Sequence, residues 1–167
     1  MGIEPRASGF TLVELIVTLL VVAILAVTAL PRLLNIQTFD NRGFLDETVA
    51  ALRYAQKAAI ASRRNVCVTF SPALNSLTLT VASTAGSTAA CDTALKSPMG
   101  DASFQIPRSG RRPSNALFQS LYPAFHFDAL GRPRTSPDNL VARQTIQIVG
   151  VTQTIKIESE TGYVYAS

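Results

Sequence analysis

From Phe10 to Leu30 the chain runs for 21 residues with a single ionisable side chain, Glu14. No other stretch restricts the fold as strongly. At about 1.5 Å per residue an α-helix of that length spans about 31 Å, close to the bilayer core of about 30 Å. Backbone groups in lipid must pair within their own segment, so a helix is the expected state. Glu14 is the anomaly, because a charged side chain such as Asp costs roughly 2.5–3.5 kcal/mol at the centre of an inserted helix. The residues ahead of the run, MGIEPRASG, are polar and include Pro5 and Gly9, which do not extend a helix.

One explanation is an ordinary secretory signal, with a basic start, about 7–15 apolar residues and a small-residue cut site. Val27-Thr28-Ala29 offers a weak site, and cleavage there leaves a secreted β-rich binding protein. The length of the run, the offset of Arg6 by Glu4 and the embedded Glu14 all fit that scheme poorly.

The stretch GFTLVELIVTLLVVAILAVTALPRL resembles the N-terminus of type IV pilins and type II secretion pseudopilins. The resemblance implies a leader, residues 1–9, removed by prepilin peptidase between Gly9 and Phe10, with Phe10 then N-methylated. Glu14 becomes the fifth mature residue, where the family carries its Glu. Residues 10–30 become a transmembrane and filament-core helix, and Pro31 marks a kink. The protein implied is a single-pass inner-membrane precursor with a periplasmic head, later part of a periplasmic or extracellular filament. Its partners are other pilin or pseudopilin subunits, prepilin peptidase and an inner-membrane assembly platform.

Under that reading the position of Glu14 has a physical purpose. Phe10 and Glu14 are one helical turn apart, so the new α-amine and the carboxylate can meet within a subunit. The carboxylate can instead meet the amine of a neighbouring subunit, and only that pairing sets a register between subunits. The bland alternative is a Glu at the membrane interface, solvated by headgroups.

Residues 31–64 read as the periplasmic part of the stem. In FLDETVAALRYAQKAAIASRR (44–64), Leu45, Val49, Leu52, Ala55 and Ala59 follow a three/four spacing, with Asp46, Glu47, Arg53, Lys57 and Arg64 outward. Acid at its start and Arg63-Arg64 at its end suit the helix dipole, and a break is expected around Asn41-Arg42-Gly43. Beyond it, in the β-rich head over 65–167, the period changes to two. VCVTF (66–70) and SLTLTVA (76–82) form a hairpin, as do TIQIVG (145–150) and TIKIES (154–159). SFQIP (103–107), AFHFD (124–128) and GYVYAS (162–167) supply further strands. The expected fold is α+β, a long N-terminal helix packed on a C-terminal antiparallel sheet.

Cys67 and Cys91 both follow the apolar run. Behind a membrane anchor or export signal they face an oxidising compartment, which favours a disulfide. It closes a loop of about 25 residues, worth roughly 3.5 kcal/mol in chain entropy. The alternative is two buried thiols acting as small apolar side chains.

Little here suggests catalysis. The one histidine, His126, lies between Phe125 and Phe127 and faces opposite to both in a strand, as a surface or loop-contacting residue. One His and two separated Cys do not make a zinc site, and no phosphate-binding Gly-rich loop is present. No metal or cofactor is expected.

LRYAQKAAIASRRNVCVTF and FDALGRPRTSP resemble the minor pilins and pseudopilins grouped as GspH/FimT. ALPRLLN, ALRYAQKAA and TGYVYAS look most like the minor prepilins of mannose-sensitive haemagglutinin pili. FimT-like DNA-uptake pilins carry Gly-Arg-x-Arg near the C-terminus, where this chain reads Gly162-Tyr163-Val164-Tyr165. The internal Gly131-Arg132-Pro133-Arg134 matches a commoner GspH-type turn. Of the 15 basic residues 12 are Arg, and Arg108, Arg111, Arg112, Arg132, Arg134 and Arg143 cluster against Asp128 and Asp138. Arg111, Arg112, Arg132 and Arg134 are therefore the candidate contacts for DNA or another anion. Solvated or subunit-contacting arginines are the favoured reading, and nucleic acid the lesser one.

Overall fold

The computed structural model describes residues 9–33, 36–71, 75–86, 90–107, 116–120, 122–135 and 138–167, without the side chains of 28–38. Two compact units divide at Ile36–Gln37.

The first unit is the helix α1, Leu12–Leu33. Thr11 caps it, its Oγ1 accepting the Glu14 backbone N–H at 3.3 Å. Thr11-Leu12-Val13-Glu14 thus fits the S/T-x-x-E pattern at a helix start, which also places a carboxylate in the first turn, where the macrodipole favours it. The helix continues through Pro31. From Leu12 to Val27 its large apolar side chains are 47–75% exposed in the chain by itself. Among the described residues no helix is long and apolar enough to cross a membrane.

The second unit joins α2, Ile36–Ser62, to two antiparallel sheets. The break expected at Asn41-Arg42-Gly43 is absent: α2 runs straight through it. Asn41, Phe44 and Leu45 are all buried there. Burial of two large apolar side chains, worth about 1.5–3 kcal/mol each, outweighs the roughly 1 kcal/mol that a helical Gly costs. The early start leaves Asp46 and Glu47 well inside the helix rather than at its start. α2 also ends before the expected Arg64. Arg63 turns left-handed, with φ of 53°, and Arg64 N–H bonds back to the Ala59 carbonyl at 3.3 Å. The expected inner residues, Leu45, Val49, Leu52, Ala55 and Ala59, are buried.

Three strands open the larger sheet: β1 (Val66–Ser71), β2 (Ser76–Val81) and β3 (Thr93–Ala94). Four more complete it: β4 (Phe104–Ile106), β5 (Phe125–Phe127), β6 (Pro133–Thr135) and β7 (Asn139–Leu140). Its order is β3-β2-β1-β5-β6-β7, with β4 also on the free edge of β2. The smaller sheet takes β8 (Gln144–Gln147), β9 (Thr154–Ile157) and β10 (Val164–Ala166) in the order β10-β9-β8. Both expected hairpins form, Ser71 opposite Ser76 and Gln147 opposite Thr154. The short strands β3, β6 and β7 carry too few residues to show a period of two, so no alternation marks them in the sequence.

One core fills the space beneath α2. Val66, Val68, Leu77, Leu79, Phe125 and Phe127 from the larger sheet join Ile146, Ile155, Ile157 and Val164 from the smaller. The α+β layout expected of residues beyond 36 is therefore present within this unit.

Candidate functional site

Among the described residues the candidate sites are surfaces and the side chains that hold them. Gly9 and Phe10 sit ahead of α1, and Phe10 is 80% exposed. Glu14, one turn on, is also exposed. Thr18 is the other polar residue before Val27, and its hydroxyl is satisfied by the Leu15 carbonyl at 2.9 Å. What remains is a helix apolar on every side, a pattern that a globular chain leaves uncovered only when lipid or another chain covers it.

Two of the four arginines singled out for anions, Arg111 and Arg112, lie outside the described residues. The other two are engaged internally. Arg132 binds Asp128 Oδ2 through Nε at 2.9 Å and Nη2 at 2.8 Å. Arg134 reaches the same oxygen at 3.4 Å, and its Nη1 donates to the Asp138 carbonyl at 3.1 Å. Asp128 Oδ1 accepts the backbone N–H groups of Leu130 and Arg132, both at 2.9 Å. Burial alone would raise the pKa of Asp128, but the hydrogen bonds from Arg132 and Leu130 outweigh it and hold the carboxyl below its usual range. The sequence signal for this hub was Asp128 itself, three residues before Gly131 and four before Arg132, which is the spacing of an Asp that closes a turn on its own backbone. These two guanidiniums brace the β5–β6 turn.

Arg143 is similarly occupied, by Glu158 Oε2 at 3.0 Å. The other Glu158 oxygen accepts the Tyr165 hydroxyl at 2.8 Å. That bond comes first in lowering the pKa of Glu158, with Arg143 assisting, and it raises the pKa of Tyr165. The Tyr163 and Tyr165 rings stack with centroids 5.5 Å apart.

Cys67 and Cys91 form a disulfide, with Cα atoms 6.0 Å apart. Ser83 reinforces the same loop closure, its N–H and hydroxyl donating to the Asp92 carboxylate at 2.8 and 2.6 Å. His126 departs from expectation. It does pair opposite Cys67, between the two inward phenylalanines, but it is 7% exposed rather than on the surface. β1 and β6 flank it on both sides, which a one-strand reading could not foresee. Among the described residues no group of three His, Cys, Asp or Glu could hold a metal ion.

A further joint links α2 to both sheets. Gln56 Nε2 donates to the carbonyls of Gly131 at 3.3 Å and Thr161 at 2.7 Å. One helical turn earlier, Arg53 Nε donates to the Val164 carbonyl at 2.9 Å. A Cβ on Gly162, at φ of 64°, would collide with the Gly131 carbonyl oxygen, so only glycine fits where the two turns meet.

These features define a class: an exposed apolar helix followed by a self-contained α+β head. Comparison with known proteins narrows it. Residues 5–30 match the prokaryotic N-terminal methylation motif. Over 61 residues, 36% of the chain, it is 34% identical to the type IV narrow pilus major component PilA5 of Thermus thermophilus. The chain spans about half of that relative, 53% of its length. No solved structure matches it significantly. The motif and the relative together support the type IV pilin family.

Proposed function

We propose that the chain is a minor pilin or pseudopilin of the GspH/FimT kind, in the manner of the minor prepilins of mannose-sensitive haemagglutinin pili. Prepilin peptidase removes residues 1–9 and Phe10 is then methylated. The run from Phe10 to Leu30 spans the inner membrane, with the head periplasmic, until an assembly platform transfers the helix into a filament. There the subunit belongs to a priming or tip complex. Pro31 bends the helix as it leaves lipid, and Glu14 pairs with the Phe10 amine of a neighbouring subunit to set register.

The observation that carries this reading is the apolar surface of α1 on all sides, interrupted by one carboxylate at the position the methylation motif covers. The deciding measurement is the N-terminus and intact mass of protein from cells that hold a prepilin peptidase. A chain beginning at methylated Phe10 is expected. A soluble chain beginning near Leu30 would replace this function with that of a secreted binder. DNA uptake is not favoured, because Arg132 and Arg134 are bound to Asp128.

A further inference from the structure

His126 lies in β5 with Cys67 opposite it on β1 and Arg134 opposite it on β6. Its Nε2 is buried and has no hydrogen-bond partner among the described residues. With its one hydrogen on Nδ1 the neutral ring leaves Nε2 as a single unpaired acceptor, the cost of one missing hydrogen bond. Protonation would place a new N–H donor and a positive charge there, and burying an unpaired charge is far more costly.

The charged groups around it relieve that cost only in part. From β6 comes Arg134, which repels an imidazolium. Asp128, just after β5, and Asp138, just before β7, attract one. Both carboxylates already face Arg134, and Asp128 holds Arg132 as well. From β1 comes a disulfide sulfur, which does not titrate. Burial prevails over the pull of Asp138 and Asp128, with Arg134 adding to it, and the pKa of His126 is lowered.

We propose that the β1–β5–β6 seam is an acid-sensitive latch. It stays shut while His126 is neutral, and protonation of the ring loosens the strands that carry Cys67 and Arg134. The direction follows from linkage. With the folded value depressed, the unfolded or opened chain takes up the proton first. The seam's stability is therefore intact above the ordinary histidine value of about 6.5 and declines as pH falls below it, until the folded value is passed. The disulfide is the reporter, since loosening of β1 widens a reductant's access to the half-buried Cys67.

The test uses the full chain in detergent micelles, between about pH 7.5 and about pH 5, the window where an ordinary histidine titrates. A phosphine reductant opens Cys67–Cys91, and the rate for the native chain is divided by that for His126→Gln, which cancels the reductant's own pH dependence. The ratio is expected to rise several-fold toward acid, and a flat ratio overturns the latch. Should His126→Gln not fold, the native chain alone decides. It has one histidine, so a titrating imidazole NMR signal can only be His126. That signal should move below the ordinary range while the melting temperature falls toward acid. A ring that titrates normally, or a melting temperature level across the window, also overturns the proposal.

Discussion

Leucine and valine meet opposite fates in the two helices. On α1, Leu15, Ile16, Leu20 and Ile24 each expose more than half their surface, whereas Leu45 and Leu52 on α2 are covered by the head. α2 turns one stripe, Leu45, Val49, Leu52, Ala55 and Ala59, into the core of the two sheets, while Phe39 and Ile60 stay exposed among its polar residues. α1 has no polar face to give to water. The difference teaches where each element finds its stability: the head completes a core from its own helix and strands, whereas α1 presents apolar side chains with no stripe of its own to bury them against.

The sharpest way to break this comparison is to truncate one leucine in each helix. Leu52→Ala should cost about 2–5 kcal/mol in urea unfolding of the head, as buried leucines do, while Leu20→Ala should leave that transition within about 0.5 kcal/mol. Equal losses would mean that α1 shares the core of the head. The disulfide comes next. Cys67→Ser with Cys91→Ser should lower head stability by about 3 kcal/mol, with denaturant unfolding as the readout.

Asp128→Asn is expected to cost about 2–3 kcal/mol near neutral pH, because it strips charge from a buried acceptor shared by two guanidiniums. A carboxyl with a depressed pKa contributes stability that is present above its ordinary value and lost as pH falls through its folded value. The difference between native and variant chains should therefore vanish in acid, below that folded value. The same variant sharpens the question of the arginines. If freeing Arg132 and Arg134 gives the head salt-sensitive affinity for duplex DNA that the native chain lacks, their present binding to Asp128 is what withholds it.

The smallest effect belongs to the end of α2. Arg63 holds a left-handed conformation that glycine adopts without strain, so Arg63→Gly should stabilise the head by about 0.5–1 kcal/mol in thermal melts.

Much of the head was legible in advance, because alternation in VCVTF, SLTLTVA and TIKIES and the three/four spacing from Leu45 to Ala59 report burial directly. The pairing of Cys67 with Cys91 followed from compartment and count. What escaped the sequence depends on groups brought together from afar. Gln56 is one more polar residue on a helix until the Gly131 and Thr161 carbonyls arrive beside it. His126 reads as exposed until β1 and β6 close over it. At Asn41-Arg42-Gly43 local propensity argued for a break, and tertiary burial of Phe44 and Leu45 overruled it. Thr11 three residues before Glu14 is a helix-start signal in the sequence, and in the structure its hydroxyl accepts the Glu14 backbone N–H.

The joint at Gln56 also bears on how such a head can diversify. Its fastening points on the sheet side are main-chain carbonyls, which every residue type carries, and the side chains that do the holding all belong to α2. Leu130 can therefore be exchanged without unfastening its turn, provided Gly131 and Gly162 stay, whereas Thr161 also holds its own turn by accepting the Tyr163 N–H at 3.2 Å. Variation at the first turn thus leaves the α2 fastenings beneath it unchanged.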